Sequence, residues 1–491
     1  MLGSFFRHLL NPLKAPKLPA RSQQRPRLQF EFLEDRVVPA TLSVPSSLYP
    51  TIQSALSAAH AGDFVTVHPG TYIEQLSIGA GKDGLVLENS SYRSGWIATG
   101  TNQVIVQAPA TLTGAAAVLD ISFSTFVDIE GLTIVGNDQT HAGIRVDNGG
   151  NALIKYNTVT GVTAPDGAAI LVGRSLSSDA TTGTATIEYN IVSDYDKAGI
   201  VVDNSGSRAD VEHNTITGDG SPTGTVQYGI QISYGAGADV ENNSISGNAS
   251  STSDGFESGG ILVLATTARG TKVDRNTLTG NFDGIFVTAD TNDPVPGATA
   301  KIEVMYNASV SNLGDGIMIV DAHNTVTVAN RISGNQRDGI SVYGGHNQSP
   351  YATPADGDNN QIVGNYSLNN THDGIYLWNT NNNQVFFNTC SGNSNNGVEF
   401  FQANNTFFVS NQMYYNGVDG FYASGSSNNI IRTNQISYNK LDGISLNNGS
   451  NQNQVFLNRV TTNGGHGIAI DGTSQHNALF GNWDLGNQAG N

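Results

Sequence analysis

The chain is poor in the features that would build a disulfide scaffold, a membrane span or a nucleic-acid surface. It has one cysteine in 491 residues, Cys390, so no intrachain disulfide forms and no thiolate metal cluster assembles. No run of 18 apolar residues occurs, which leaves no transmembrane segment to expect. Charged residues are only 13 % of the chain, and Lys plus Arg number 23 against 41 Asp plus Glu. Those cations gather at the start: residues 1–40 hold 7 Lys/Arg and 3 Asp/Glu, leaving 16 against 38 and a net of −22 in the remainder. An acidic body without clustered Lys and Arg argues against nucleic acid as a partner. It favours solubility or cation binding instead.

What is abundant points elsewhere. Gly numbers 57 and the hydrophobic share is 38 %. That is too apolar for a disordered chain and too rich in turn residues for a helical one, so an all-β protein with many turns is expected. Length alone suggests two or three domains, but a solenoid escapes that rule because each repeat packs only on its neighbours.

A fixed repeat decides between these readings. An Asn followed two positions later by an apolar residue recurs at Asn157, Asn190, Asn214, Asn243, Asn276, Asn330, Asn388, Asn411, Asn434 and Asn458, with looser copies at Asn307 and Asn365. From Asn365 to Asn434 the step is 23 each time. A second mark, Asp-Gly-Ile or a variant, keeps the same phase at Gly284, Gly316, Gly339, Gly374, Gly397, Gly420, Gly443 and Gly467. After each Gly the pattern alternates, as in Ile375, Tyr376, Leu377, Trp378, which marks a half-buried strand. Two more inward positions flank each Asn, for example Val385 and Cys390 around Asn388, so Cys390 reads as core.

Three short strands per ~23 residues bury no core alone and must stack at the ~4.8 Å strand spacing around one shared interior. The fold class is therefore all-β, a single-stranded right-handed parallel β-helix solenoid with an N-terminal capping helix. A leucine-rich horseshoe would need a Leu frame and helical segments that are absent. The repeated Asn suits a tight turn because it tolerates a left-handed backbone and its amide reaches the Asn above and below, and the Gly is assigned the same steric role.

The expected organisation is a basic leader over 1–40, the β-helix over 41–486 and a short tail over 487–491. Within 51–61, Ile52, Leu56 and Ala59 share one helical face, and Gly62 with Asp63 stops the helix before the strand. Trp483 and Leu485 are expected to cover the last coil. With Gly70, Thr71, Tyr72 and Glu74, this opening resembles that of pectate-lyase-like β-helix proteins, over roughly residues 48–486. The leader segment Phe32-Leu33-Glu34-Asp35-Arg36-Val37-Val38-Pro39-Ala40 resembles a short N-terminal motif of planctomycete extracellular proteins. That resemblance implies export and an extracellular or cell-surface location; a disordered basic tail is the alternative.

Candidate chemistry lies on outward columns. Tyr343, Tyr376, Trp378, Phe401 and Tyr422, with Phe286 further back, offer coil-spaced rings for sugar stacking, against the alternative of a self-packed ladder. Glu188, Glu212, Glu241 and Asp274 form an acidic column that Ca2+ would relieve, against a solvated face screened by salt. The pectate-lyase resemblance implies calcium on carboxylates and a basic residue that removes a proton beside a uronate carboxylate. Arg145 with Asp147, Arg174 and Asp203 is the nearest constellation, against ordinary surface ion pairs. Gly465-His466-Gly467 resembles a polygalacturonase motif but occupies the repeat's own Asp-Gly-Ile position and reads as a turn. Four loops, at 205–228, 248–258, 288–300 and 346–360, interrupt the period and are expected on one side of the rod.

The function these features imply is an exported protein that binds, and by resemblance cleaves, an acidic polysaccharide with lyase-like chemistry. A non-catalytic structural or adhesive surface protein is the rival. Neither oligomeric state nor substrate identity is legible.

Overall fold

The computed structural model describes residues 38–489 apart from 92–95, 115, 176–179, 222–224, 251–256, 265–269, 290–300 and 345–356. All but the last three residues of the expected leader lie outside the described residues. From Thr41 to Leu485 the chain winds through three parallel sheets of 17, 16 and 15 strands. Each coil contributes one strand to the first sheet, then to the second, then to the third, before pairing with the coil behind it.

Register follows the sequence period. In the first sheet Ile362, Val385, Phe408, Ile431 and Val455 align; in the second Cys390, Met413, Ile436 and Val460; in the third Ile375, Val398, Phe421 and Ile444. All are buried, Cys390 included. One stretch of the interior is aromatic: Phe400, Phe408 and Phe421 pack with centroids 4.8–5.7 Å apart.

The repeated Asn does not itself adopt the left-handed backbone. That conformation belongs to the residue before it: Tyr189, His213, Arg275, Tyr306, Phe387 and Leu457 all have φ between 54° and 59°. The Asn is turned inward instead. Asn388 Oδ1 accepts from the Asn365 backbone N–H (2.9 Å) and from Asn365 Nδ2 (3.0 Å), and Asn388 Nδ2 donates to Ile362 O at 2.8 Å. The same bonds repeat from Asn157 to Asn482. A second ladder runs from Asn248 to Asn487 at the corner that leads into the third sheet. An amide side chain supplies both a donor and an acceptor at a buried turn, and each bond adds about 1 kcal/mol net.

The repeat glycines also differ from the expectation. Gly374, Gly397, Gly420 and Gly443 do not take positive φ. They are small because the next coil leaves no room: a Cβ at Gly374 would lie 2.5 Å from Gly397 O and 2.7 Å from Cys390 Cβ.

The capping helix spans Ile52–Ala58 and buries Ile52, Ala55 and Leu56 against the first coil. Thr51 and Ser54 close a capping box, and Glu74 accepts from the Ile52 and Gln53 N–H groups at 3.0 and 2.9 Å. The far end is different. Trp483 and Leu485 form the last second-sheet strand and are exposed, so they do not cover the final coil.

Candidate functional site

The connections between strands differ in length from corner to corner of the coil. From the strand Gly150–Lys155 onward, the step from first to second sheet is always two residues, such as Tyr189–Asn190 or Tyr306–Asn307. Every connection of ten residues or more beyond that point adjoins the third sheet. In chain order residues 218–227 and 247–258 precede it and 173–182, 289–302 and 344–360 follow it; of the expected loops, 251–256, 290–300 and 346–356 lie outside the described residues. The expected loop at 205–228 is mostly not a loop, because it contains the strands Arg208–Glu212 and Thr215–Thr217. Its Asn214 belongs to the repeat, and only 218–227 is inserted.

The outward face of the third sheet changes character along the rod. In the early coils Arg145 pairs with Asp120 and Leu171 in register, and Asp147 with Ser122. The Arg145 guanidinium donates to Asp147 and lies 3.6 Å from Asp120. Arg145 is 6 % exposed and Asp147 fully buried. Arg174, on a short antiparallel bridge to Thr181, feels both charges; desolvation and Arg145 hold it below the usual guanidinium range. Asp203 accepts from Ser175 N and from Ser233 Oγ, each at 2.7 Å. The structure thus gathers Arg145, Asp147 and Arg174, with Asp203 held by separate partners. Arg145 is engaged by two carboxylates and shielded from solvent.

The middle coils of this face carry a second apolar cluster outside the solenoid interior. Ala168, Ala198, Val201, Tyr228 and Leu262 are buried there with Val226 from the 218–227 connection.

The later coils carry the aromatic residues, in two columns rather than one. Tyr343, Trp378, Phe401 and Ser424 align. Beside them run Phe286, Met318, Ser341, Tyr376, Glu399, Tyr422 and Ser445. Tyr376 and Tyr422 therefore flank Glu399 instead of following one another. The rings are inclined: Tyr343 meets Tyr376 at 5.7 Å and 72°, and Trp378 at 6.2 Å and 56°. Elsewhere on the surface several pairs lie parallel, as in Tyr156–Tyr189 at 5.1 Å and 8°, Tyr415–Tyr438 at 5.1 Å and 10°, and Phe456–Phe480 at 4.7 Å and 9°, while Phe386 and Phe387 meet at 6.4 Å and 69°.

Beside these columns runs a feature the glycine reading overlooked, a ladder made by the Asp of each Asp-Gly-Ile. Asp283 Oδ1 accepts from Asp315 N, Asp315 from Asp338 N, Asp338 from Asp373 N and Asp373 from Asn396 N, at 2.7–2.8 Å. Asn396, Asp419 and Asp442 continue it to His466 N, so Gly465-His466-Gly467 is the ladder's last turn. The side chains are buried as far as Asp419. Burial, aggravated by neighbouring carboxylates, pushes Asp315 up to about 6, Asp419 to about 7 and Asp373 to about 8, and lifts Asp283 and Asp338 well above the usual range. Glu399, also raised by burial, hydrogen-bonds Asp373 and accepts from Asn396 Nδ2 at 2.8 Å. Two carboxyls in hydrogen-bond contact hold one proton between them at neutral pH.

Glu188, Glu212, Glu241 and Asp274 do align in one first-sheet column. Protein cations answer part of their charge: Lys272 Nζ lies 2.5 Å from Glu241 and 3.1 Å from Asp274, and Arg275 lies 2.5 Å from Asp274. Among the described residues, no three His, Cys, Asp or Glu side chains converge to hold a metal ion. No chemistry is derived through Ca2+.

A coiled parallel stack of this kind defines a class of protein, and the comparison with family models agrees. The model described as "Right handed beta helix region" matches residues 68–245, 223–353 and 329–483, and the chain belongs to that family. Similar solved structures include a mutant of the periplasmic alginate epimerase AlgG, at 12 % identity and TM-score 0.45 over 87 % of this chain and 84 % of that one. The Azotobacter vinelandii mannuronan C-5 epimerase AlgE6 A-module is 16 % identical, with TM-score 0.39 over 88 % and 93 %. The catalytic unit of a thermostable alpha-1,3-glucanase from Streptomyces thermodiastaticus is 12 % identical, with TM-score 0.36 over 90 % and 70 %. No curated protein sequence matches the chain. No helix among the described residues is long and apolar enough to cross a membrane.

Proposed function

We propose that the protein is an exported polysaccharide-binding rod whose binding face is the third sheet between the strands Ile340–Tyr343 and Ile444–Asn447. The observation that carries this reading is the placement of Tyr376, Trp378, Phe401 and Tyr422 as outward, half-buried rings on three successive coils. Sugar rings stack on aromatic faces, and outward rings repeated at coil spacing offer a track for an extended chain. Strand stacking repeats the outward positions every ~4.8 Å, close to the length of one sugar unit, so successive coils meet successive sugars. Asn447 and Asn448, which hydrogen-bond Ser445 and Ser424 at 2.8 and 3.0 Å, add amides at the far end of the track. The interior Phe400, Phe408 and Phe421 stiffen the floor beneath it.

Lyase chemistry at Arg145 finds little support, because a base must reach its substrate and Arg145 is enclosed between Asp120 and Asp147. The test is retention on a panel of immobilised polysaccharides. Wild type is expected to bind at least one, and Trp378→Ala to lose about tenfold in affinity, the worth of one aromatic contact. Retention unchanged by Trp378→Ala and Tyr376→Ala together would reject this face and leave the structural rod as the better reading.

A further inference from the structure

We infer that the polymer bound on this face is an uncharged glycan rather than the acidic one that the pectate-lyase resemblance implies. The inference rests on the polysaccharide-binding reading and concerns only the class of sugar.

The argument is one of charge. No third-sheet strand from Ile317–Val320 to Ile468–Ile470 contains a Lys or Arg. The charged side chain those strands place between the tyrosines is Glu399. The acids along their leading edge, Asp315, Asp338, Asp373 and Asp419, are buried and held toward the neutral form, so the charge a ligand meets on these strands is that of Glu399. The cations near that edge are few. Arg337 is paired with Glu257 at 2.8 Å and covers the Phe282 ring at 5.1 Å. His372 faces Asp338 at 3.9 Å, and Lys440 sits on the corner two residues before Asp442 rather than on the face. A polyuronate laid along the coils would bring about one carboxylate per coil to this surface. Each like-charge contact at ~4 Å weakens binding on the order of fivefold even at the dielectric of water.

The same acid suits hydroxyls. Glu399, bonded to buried Asp373 and to the amide of Asn396, presents its lone pairs to a sugar ring lying between Tyr376 and Tyr422. A carboxylate accepts hydrogen bonds, and a sugar hydroxyl donates them. An uncharged sugar reaches it without the repulsion a uronate meets.

Affinity electrophoresis of the full chain tests the inference with soluble glucan, mannan and xylan beside polygalacturonate and alginate, each in EDTA and in calcium. Retardation by one or more neutral polymers and by neither uronate, in both conditions, is the expected result. Retardation by a uronate at least as strong as by any neutral polymer, with or without calcium, overturns the inference while leaving glycan binding intact. No retardation by any polymer overturns the underlying binding reading. The double variant Glu399→Gln with Asp373→Asn removes the central charge; Asn396 already occupies a ladder rung, so the fold accepts the change. Uronate affinity is expected to rise about fivefold in it while neutral-glycan affinity changes less. Uronate affinity that does not rise would show that Glu399 and Asp373 do not set the preference.

Discussion

Replacing Asp419 by Asn should stabilise the protein at alkaline pH and leave it nearly unchanged in acid. Asp419 is a buried rung whose Oδ1 accepts from Asp442 N at 2.7 Å, and its own N–H donates to Asn396 Oδ1 at 3.0 Å. Burial raises its carboxyl from 3.8 to about 7. Between those values the folded state keeps a proton that the unfolded chain has released, so this group's contribution falls as pH rises, with the loss complete above about pH 7. At 1.36 kcal/mol per unit, the shift amounts to about 4 kcal/mol at pH 8 relative to a rung that does not titrate. Asn is such a rung, and Asn396 shows that the ladder geometry accepts it. Chemical denaturation of both proteins from pH 3.5 to 8.5 measures the gap, and the difference cancels the other titrating groups. The Asp419→Asn variant should match wild type within about 1 kcal/mol near pH 3.5, a single hydrogen bond's worth, and lead it by several near pH 8. A gap that stays constant with pH, or that favours wild type increasingly as pH rises, would refute the assignment of a raised, buried carboxyl.

Other expectations follow from the same contacts. Asn388→Ala strands the Asn365 amide and the Ile362 carbonyl in the interior and should cost about 3 kcal/mol or more, read as a lowered denaturation midpoint. Gly374→Ala drives a Cβ into Gly397 O and Cys390 and should cost about 3 kcal/mol, with hydrogen exchange rising most in the neighbouring coils. Arg145→Ala leaves buried Asp147 without its partner; a loss of about 3–5 kcal/mol with unchanged glycan retention would mark Arg145 as structural.

The solenoid was legible because its period is written in residues with one buried role each. Val385, Asn388 and Cys390 recur at 23-residue steps, and all three prove to be inward. What the residues do at those positions was less legible. The pairing of each Asn amide with the Asn above and below holds, but the left-handed residue is the one before it, as at Tyr189, His213 and Leu457. The glycines looked conformational but are steric, because tightness comes from the next coil, which lies 23 residues away in sequence. Loop 205–228 was misjudged although it holds the repeat Asn214, because the ten-residue insertion at 218–227 lengthens the spacing to the next marked Gly.

The candidate face was half legible. Period-two alternation placed Tyr376 and Trp378 outward, but assigning Phe401 and Tyr422 to one file with them required register, and register places Tyr422 two coils beyond Tyr376 in a different column from Trp378. Glu399 and the Asp ladder went unread because an acid inside a turn motif resembles a solvated turn residue. Its burial and its hydrogen bond to the following coil appear only in three dimensions.

The claim that the third-sheet face binds a polysaccharide is tested most directly by hydroxyl-radical labelling of the protein with and without a retained glycan. Protection of Tyr376, Trp378, Phe401 and Tyr422, with Tyr156, Tyr189, Tyr415 and Tyr438 labelled as before, is the predicted result. Protection of the parallel-stacked rings with the third-sheet residues unaffected would contradict it.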